Sequence, residues 1–247
     1  MKHAVVLFSG GMDSTIALYW ALNDKDFSSV DALTIDYGQS NINEIDCAYL
    51  ICESITTNKL VQVRVLRIPP MLFSGDSYIL GRSQITEYAS VDETMQDKER
   101  KDYIPARNAI FLSFAANHLL ARSPAGGAIV TGFRGFSKRP LRGFADGSKE
   151  FGDAMADALS IGSVGYPHDD DDRHIQILSP LCGGDRSRLS SLVIAKSLPG
   201  CWDALAFSMS CFKGETPPCG KCLPCVRRAA AFKAFGSPDP LLELYKK

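Results

Sequence analysis

No apolar run in the 247 residues approaches the roughly 20 needed to cross a bilayer. The amino-terminal stretch MKHAVVLFSGG offers only the short apolar run Ala4 to Phe8 before Ser9, too little for the core of a signal peptide. The chain is therefore expected to be cytoplasmic, without a membrane partner. Surplus charge is lacking too: 27 Lys and Arg against 28 Asp and Glu leave a net charge of −1. That gives no overall electrostatic footprint for DNA or RNA, so nucleic acid is not an expected partner, although a local basic patch is compatible with it. Internal repeats are absent. What is present is an ordinary apolar content of 45 % and eight cysteines. In a reducing compartment those cysteines are thiols or metal ligands.

Short β-branched runs alternate with helical patterns. AVVLF (4–8) reads as a buried parallel strand, TIALYWALN (15–23) as a buried helix, and SVDALTIDYGQ (29–39) as a second strand. A helix over 43–55, a strand over 60–68, a helix over 106–122, a strand over 127–133, a helix over 149–162 and a strand over 174–181 follow. The β-α-β-α-β order predicts an α/β fold with a doubly wound parallel sheet. Residues 69–102 read as a long loop with one short helix, of the kind that covers a binding site. From about 208 the chain turns Cys- and Pro-rich, with one helix over 226–235. The expected division is an α/β domain over 1–207 and a small Cys-rich module over 208–247.

The loop after the first strand, SGGMDS, stands where doubly wound folds bind ligands. Gly10 and Gly11 let the backbone approach an anion, and the next helix offers free N–H groups and the positive end of its dipole. Ser9, Ser14 and Thr15 add hydroxyls. No lysine follows, which excludes the G-x-x-x-x-G-K-[ST] phosphate loop. Two glycines alone do not distinguish this from an ordinary strand–helix turn. Near the other end, Cys211-x7-Cys219-x2-Cys222-x2-Cys225 supplies four thiolates suited to tetrahedral zinc. An iron–sulfur cluster is the rival ligand. Cys47, Cys52, Cys182 and Cys201 are scattered and read as core or surface thiols.

As a whole string, S-G-G-x-D-S resembles the PP-loop of adenylating ATP pyrophosphatases. Together with the cysteine knot it resembles the QueC family of 7-cyano-7-deazaguanine synthases. DYGQ (36–39), IPARNAIFLSFAA (104–116), FADGSKEFGDAMADAL (144–159), ILSPLCGGDRSRL (177–189), SMSCFKG (208–214) and AFKAFGSPDPL (231–241) extend the likeness along most of the chain. The resemblance implies an enzyme, an ATP-dependent C–N ligase. It activates the carboxylate of 7-carboxy-7-deazaguanine as an adenylate, forms an amide with ammonia, and dehydrates the amide to a nitrile with a second ATP.

Cofactors implied by the resemblance are ATP, Mg²⁺ and structural Zn²⁺. It assigns the nucleotide to Phe8, Ser9, Gly10, Gly11, Met12, Asp13, Ser14, Thr15, Asp36, Tyr37 and Gln39, with Asp13 acting through Mg²⁺. Asp13, Ser14, Arg107 and Arg186 are the implied catalytic residues, and Asn108, Asp146 and Glu150 the implied substrate contacts. Zinc falls to Cys211, Cys219, Cys222 and Cys225. A homodimer is implied as well.

The chain departs from the family pattern at Ala106 in place of glycine, at Gly147 and Ser148 in place of Cys-Arg, and at Arg186 in place of lysine. A basic segment with Arg134, Lys138, Arg139 and Arg142 is also unusual for the family. The acidic run 168–173 reads as a solvated loop. These departures imply a divergent branch. QueC-like proteins in antiviral defence transfer the activated deazaguanine to another amine, which here suggests a partner protein's N-terminus. The competing readings are an ordinary nitrile synthase, another PP-loop enzyme that modifies tRNA, and a nucleotide-binding pseudo-enzyme.

Overall fold

The computed structural model describes residues 2–98, 101–135, 145–163, 174–182 and 188–246. Among these, five parallel strands lie in the order β3-β2-β1-β4-β5: β1 (Lys2–Leu7), β2 (Phe27–Asp36), β3 (Leu60–Arg67), β4 (Gly126–Val130) and β5 (His174–Leu178). Strand order reverses direction beside β1, so the carboxyl ends of β1 and β4 open a crevice at the topological switch point. The fold class is thus the doubly wound α/β sheet that the alternating pattern predicts.

Both faces of the sheet are covered, which is why the strands read as nearly continuous apolar runs. On one face, Ala4 and Val6 of β1, Val30 and Ala32 of β2, and Ala128 and Val130 of β4 pack against α1 (Met12–Asn23) and α2 (Asn43–Glu53). Leu192 and Ala195 of α6 (Leu189–Ser197) join the same core. On the other face, Val5, Leu33, Ile129 and Ile175 meet α4 (Arg107–Arg122) and α5 (Lys149–Ser163). The predicted helix at 15–23 begins three residues earlier, because Met12 to Ser14 continue straight from the glycine turn into α1.

The segment 69–102 carries the one short helix expected of it. It holds two short 3₁₀ turns and α3 (Val91–Gln96), capped by Ser90 through Glu93 N–H. After α6 come α7 (Cys201–Ala204), α8 (Leu223–Phe235) and α9 (Pro240–Glu243). A buried ion pair within the residues beyond 208 joins α8 to the residue that caps α9, and its arginine also reaches back to Leu205. Arg228 of α8 donates to both carboxylate oxygens of Asp239 (2.6 and 2.8 Å), and also to the Ser208 carbonyl and the Leu205 carbonyl (2.9 Å each). Arg186, most of the basic segment and the acidic run 168–173 lie outside the described residues.

Candidate active site

The crevice at the switch point is a cleft of about 340 Å³. Its apolar wall includes Leu7, Leu33, Ile35, Ile79, Phe111 and Phe212, and its polar groups come from Ser9, Tyr37, Gln39, Glu44, Arg107 and Asn108. Ser9, the first residue of the SGGMDS loop, lines one end. Gly10 sits at φ +87°, and a Cβ there would come within 2.2 Å of the Glu44 carbonyl, so only glycine lets the loop lie against α2. Ser14 Oγ accepts from Ser9 N–H (3.2 Å) and lies 3.1 Å from Ser9 Oγ. Thr15 turns away and donates to the Gly11 carbonyl (2.8 Å). Met12 N–H, the first amide of α1, donates to Ser210 Oγ (3.2 Å). Phe8 and Met12 are buried, so their side chains support the loop from the core.

Asp13 faces cations. Arg188 Nη2 lies 3.2 Å from one carboxylate oxygen and Arg134 Nε 3.9 Å from the other. The two guanidinium groups beside the carboxylate bring positive charge next to the loop. Arg188, at the start of α6 with φ +60°, and Arg134 are residues that the sequence reading missed as site members. The signal was present in the basic composition of 134–142 and in the run Asp185-Arg186-Ser187-Arg188, but the sequence does not say which arginine turns inward.

Tyr37 and Gln39 line the cleft from the end of β2, and Gln39 Oε1 accepts from Tyr37 N–H (3.0 Å). Asp36 is not on the cleft wall. It accepts from Gly38 N–H (3.2 Å) and pairs with exposed Arg67 (3.6 Å), so it shapes the turn. Burial pushes the Tyr37 hydroxyl above its usual range, opposed by the Arg107 guanidinium beside it. Arg107, the first residue of α4, brings a cation to the cleft lining. Its placement depends on Ala106, which holds the left-handed conformation at φ 57°. Asn108 Nδ2 donates to the Asp146 carbonyl (3.0 Å). Burial raises the Asp146 carboxyl and Arg107 lowers it, with burial prevailing. Its Oδ1 is buried without a hydrogen-bond partner, so it has room for a donor. Glu150 is exposed on α5, outside the cleft lining.

Glu44 is the third functional candidate missing from the sequence reading. It enters from the first turn of α2, and its Oε1 stands 3.2 Å from where a Gly11 Cβ would be. Burial pushes its carboxyl up to about 8, against hydrogen bonds from Asn41 and Ser9 and the charge of Arg107.

Behind the loop, the sulfurs of Cys211, Cys219, Cys222 and Cys225 all lie within 4.8 Å of one another. Tetrahedral zinc with Zn–S near 2.3 Å requires S···S near ~3.8 Å, and Cys219 Sγ to Cys225 Sγ is 3.9 Å. The donor set fits one closed structural zinc ion. Cys219 and Cys211 sulfurs also accept backbone N–H groups, from Cys222 (3.3 Å) and Cys219 (3.5 Å). The cluster is coupled to the loop: Met209 N–H donates to the Gly10 carbonyl (3.0 Å), and Ser40 Oγ to the Phe212 carbonyl (2.9 Å). Lys213 pairs with Glu87, which Lys221 approaches at 3.7 Å. Cys52 and Cys201 are buried free thiols, as their apolar neighbourhoods suggested.

No helix among the described residues is long and apolar enough to cross a membrane. The family model for queuosine biosynthesis protein QueC matches residues 3–236. A 7-cyano-7-deazaguanine synthase of Chromobacterium violaceum is 34 % identical over 246 residues, covering 98 % of this chain and 94 % of the relative. The enzymes of the same name from Laribacter hongkongensis and Thermoplasma volcanium are 33 % and 32 % identical, each over at least 97 % of this chain and 90 % of the relative. The loop, the cleft and the cysteine cluster together with this end-to-end match place the chain in one family: it belongs to the QueC family.

Proposed function

We propose that this enzyme uses ATP to adenylate a 7-deazaguanine carboxylate and then joins the activated carbonyl to an amine, releasing AMP and pyrophosphate. The observation that carries this reading is the cleft at the switch point. It is lined at one end by Ser9, where the anion-accepting glycine loop begins, and elsewhere by an apolar and aromatic wall with Arg107, Asn108 and Tyr37; farther along the loop, Asp13 pairs with Arg188 and Arg134. The loop and arginines suit the triphosphate, and the wall suits a flat heterocycle. Catalysis of this kind is mainly positioning and charge neutralisation.

The finer reading makes the amide the end product, with ammonia or the amine of a partner protein as acceptor. Gly147 and Ser148 support it: a Cβ on Gly147 would meet nothing within 4 Å, so the loop beside Asp146 leaves open space where the family pattern has larger side chains. An open site admits a bulky amine and solvates the amide, which disfavours a second activation. The second reading is the ordinary nitrile synthase, favoured by the names of the relatives. Incubation with ATP, 7-carboxy-7-deazaguanine and ammonia, followed by mass spectrometry, decides between them. Amide with one AMP per product is expected; nitrile with two AMP would establish the second reading, and no AMP would overturn both.

A further inference from the structure

Arg107 is a cleft cation that no Asp or Glu among the described residues meets in an ion pair. It lines the cleft from the first position of α4, and its Nε is buried without a hydrogen-bond partner. Glu44 and Asp146 feel its charge, but burial raises the proton affinity of both carboxyls. Glu44 is instead hydrogen-bonded to Ser9 and Asn41. The Tyr37 hydroxyl lies beside the guanidinium, and burial disfavours its ionised form too. The glycine loop has other cations, since Arg188 and Arg134 both stand beside Asp13.

A guanidinium turned into a largely apolar cleft is unfavourable unless an anion meets it, and its planar fork suits the two oxygens of a carboxylate. Resting on the proposed adenylation, we infer that Arg107 is the subsite for the carboxylate to be activated, carried on a flat heteroaromatic ring that lies against Phe111. Arg107 and Phe111 stand at i and i+4 on α4, so they share the helix face that lines the cleft. The Tyr37 ring meets Phe111 at 5.1 Å between centroids, which extends the aromatic wall beside the guanidinium. A carboxylate on such a ring lies within reach of the nucleotide: Glu44, close enough to feel Arg107, is also hydrogen-bonded to Ser9 at the start of the glycine loop. In the activation step one carboxylate oxygen forms a bond to the α-phosphorus. The bond from that phosphorus to the bridging oxygen breaks, pyrophosphate leaves with the electron pair, and no proton is transferred. Arg107 binds and orients the attacking group.

The test changes the charge on both partners. Arg107→Met removes the cation and keeps most of the side-chain length. Calorimetric titrations measure 7-carboxy-7-deazaguanine and its neutral carboxamide, each in the presence of saturating α,β-methylene ATP, and α,β-methylene ATP alone. The expected result is that the variant binds the carboxylate about 10²-fold more weakly, the size of a lost hydrogen-bonded charge pair. Its affinities for the carboxamide and for the ATP analogue should stay within about threefold of wild type. Equal losses for carboxylate and carboxamide would make Arg107 a general part of the wall and overturn the inference. A loss confined to the ATP analogue would make it a phosphate ligand and also overturn it, as would unchanged carboxylate binding. If Arg107→Met melts early, Arg107→Lys, which restores a cation without the fork, must favour carboxylate over carboxamide more than Arg107→Met does, and failure to do so counts against the proposal. Substrate-dependent exchange of labelled pyrophosphate into ATP by the wild-type enzyme is read separately. Its absence alongside charge-selective binding would refute the adenylation reading and uphold the carboxylate subsite.

Discussion

Ala106→Gly should stabilise the protein. Ala106 stands at φ 57°, ψ 8°, immediately before Arg107. Its side chain is exposed, so replacing it removes no packing. An L-residue in the left-handed region costs about 1–2 kcal/mol, and glycine relieves that. Glycine's larger freedom in the unfolded chain takes back about 0.4–1 kcal/mol. A net gain of about 1 kcal/mol remains. For a chain of this size that corresponds to a rise of about 2–4 °C in Tm. Backbone acceptance by the Ala106 carbonyl from Ile110 N–H (3.0 Å) is unaffected, so α4 should start at the same residue. Scanning calorimetry of both proteins at one pH is the assay. An unchanged or lower Tm would refute the reasoning, because it would mean that the backbone at 106 is not held left-handed. The strain has a place in the site, since it orients the first turn of α4 and with it Arg107. The variant should therefore gain stability without gaining activity.

Cys222→Ser should lose zinc, measured by elemental analysis against one ion per wild-type chain, and lower Tm, since structural zinc contributes folding free energy directly; iron in the wild-type protein would overturn the assignment. Asp13→Ala should lower AMP formation by about 10²–10³-fold, the usual loss when a preorganised electrostatic group is removed, with the fold retained by circular dichroism; a wild-type rate would refute the role of the Asp13–Arg188 pair. Asp31, buried on β2, holds His3, His118 and Arg122 on one oxygen at 3.2, 3.1 and 2.9 Å. Burial pushes its carboxyl upward, but the His3 bond and the neighbouring cations outweigh this and hold it below its ordinary value. Its contribution is therefore complete above the unfolded pKa of about 3.9 and lost as pH falls through the lower folded value. Asp31→Asn should cost about 3–5 kcal/mol at pH 7, and the difference from wild type in urea melts should shrink towards pH 3; a pH-independent difference would count against it.

Much of this protein was legible without coordinates because local signals there agree with the global fold. The apolar runs at 4–8 and 127–133 have room only inside a covered parallel sheet, and the spacing of Cys211, Cys219, Cys222 and Cys225 is short enough for local chain geometry to bring four sulfurs together. The SGGMDS turn likewise depends on adjacent residues. Tertiary structure decided which distant groups face that turn. Asp13 meets Arg188 from α6 and Arg134 after β4, more than a hundred residues away, and nothing in the sequence distinguishes these arginines from solvated ones. Asp36 and Tyr37 are neighbours in sequence, but the pleat sends the first to a surface turn and the second into the cleft. Glu44 shows the same limit. On an isolated α2 it is one more first-turn acid, with an ordinary preference for a helix N-terminus. Only the loop packed against it and the cleft closed by α4 withdraw it from bulk water and give its proton a different free energy.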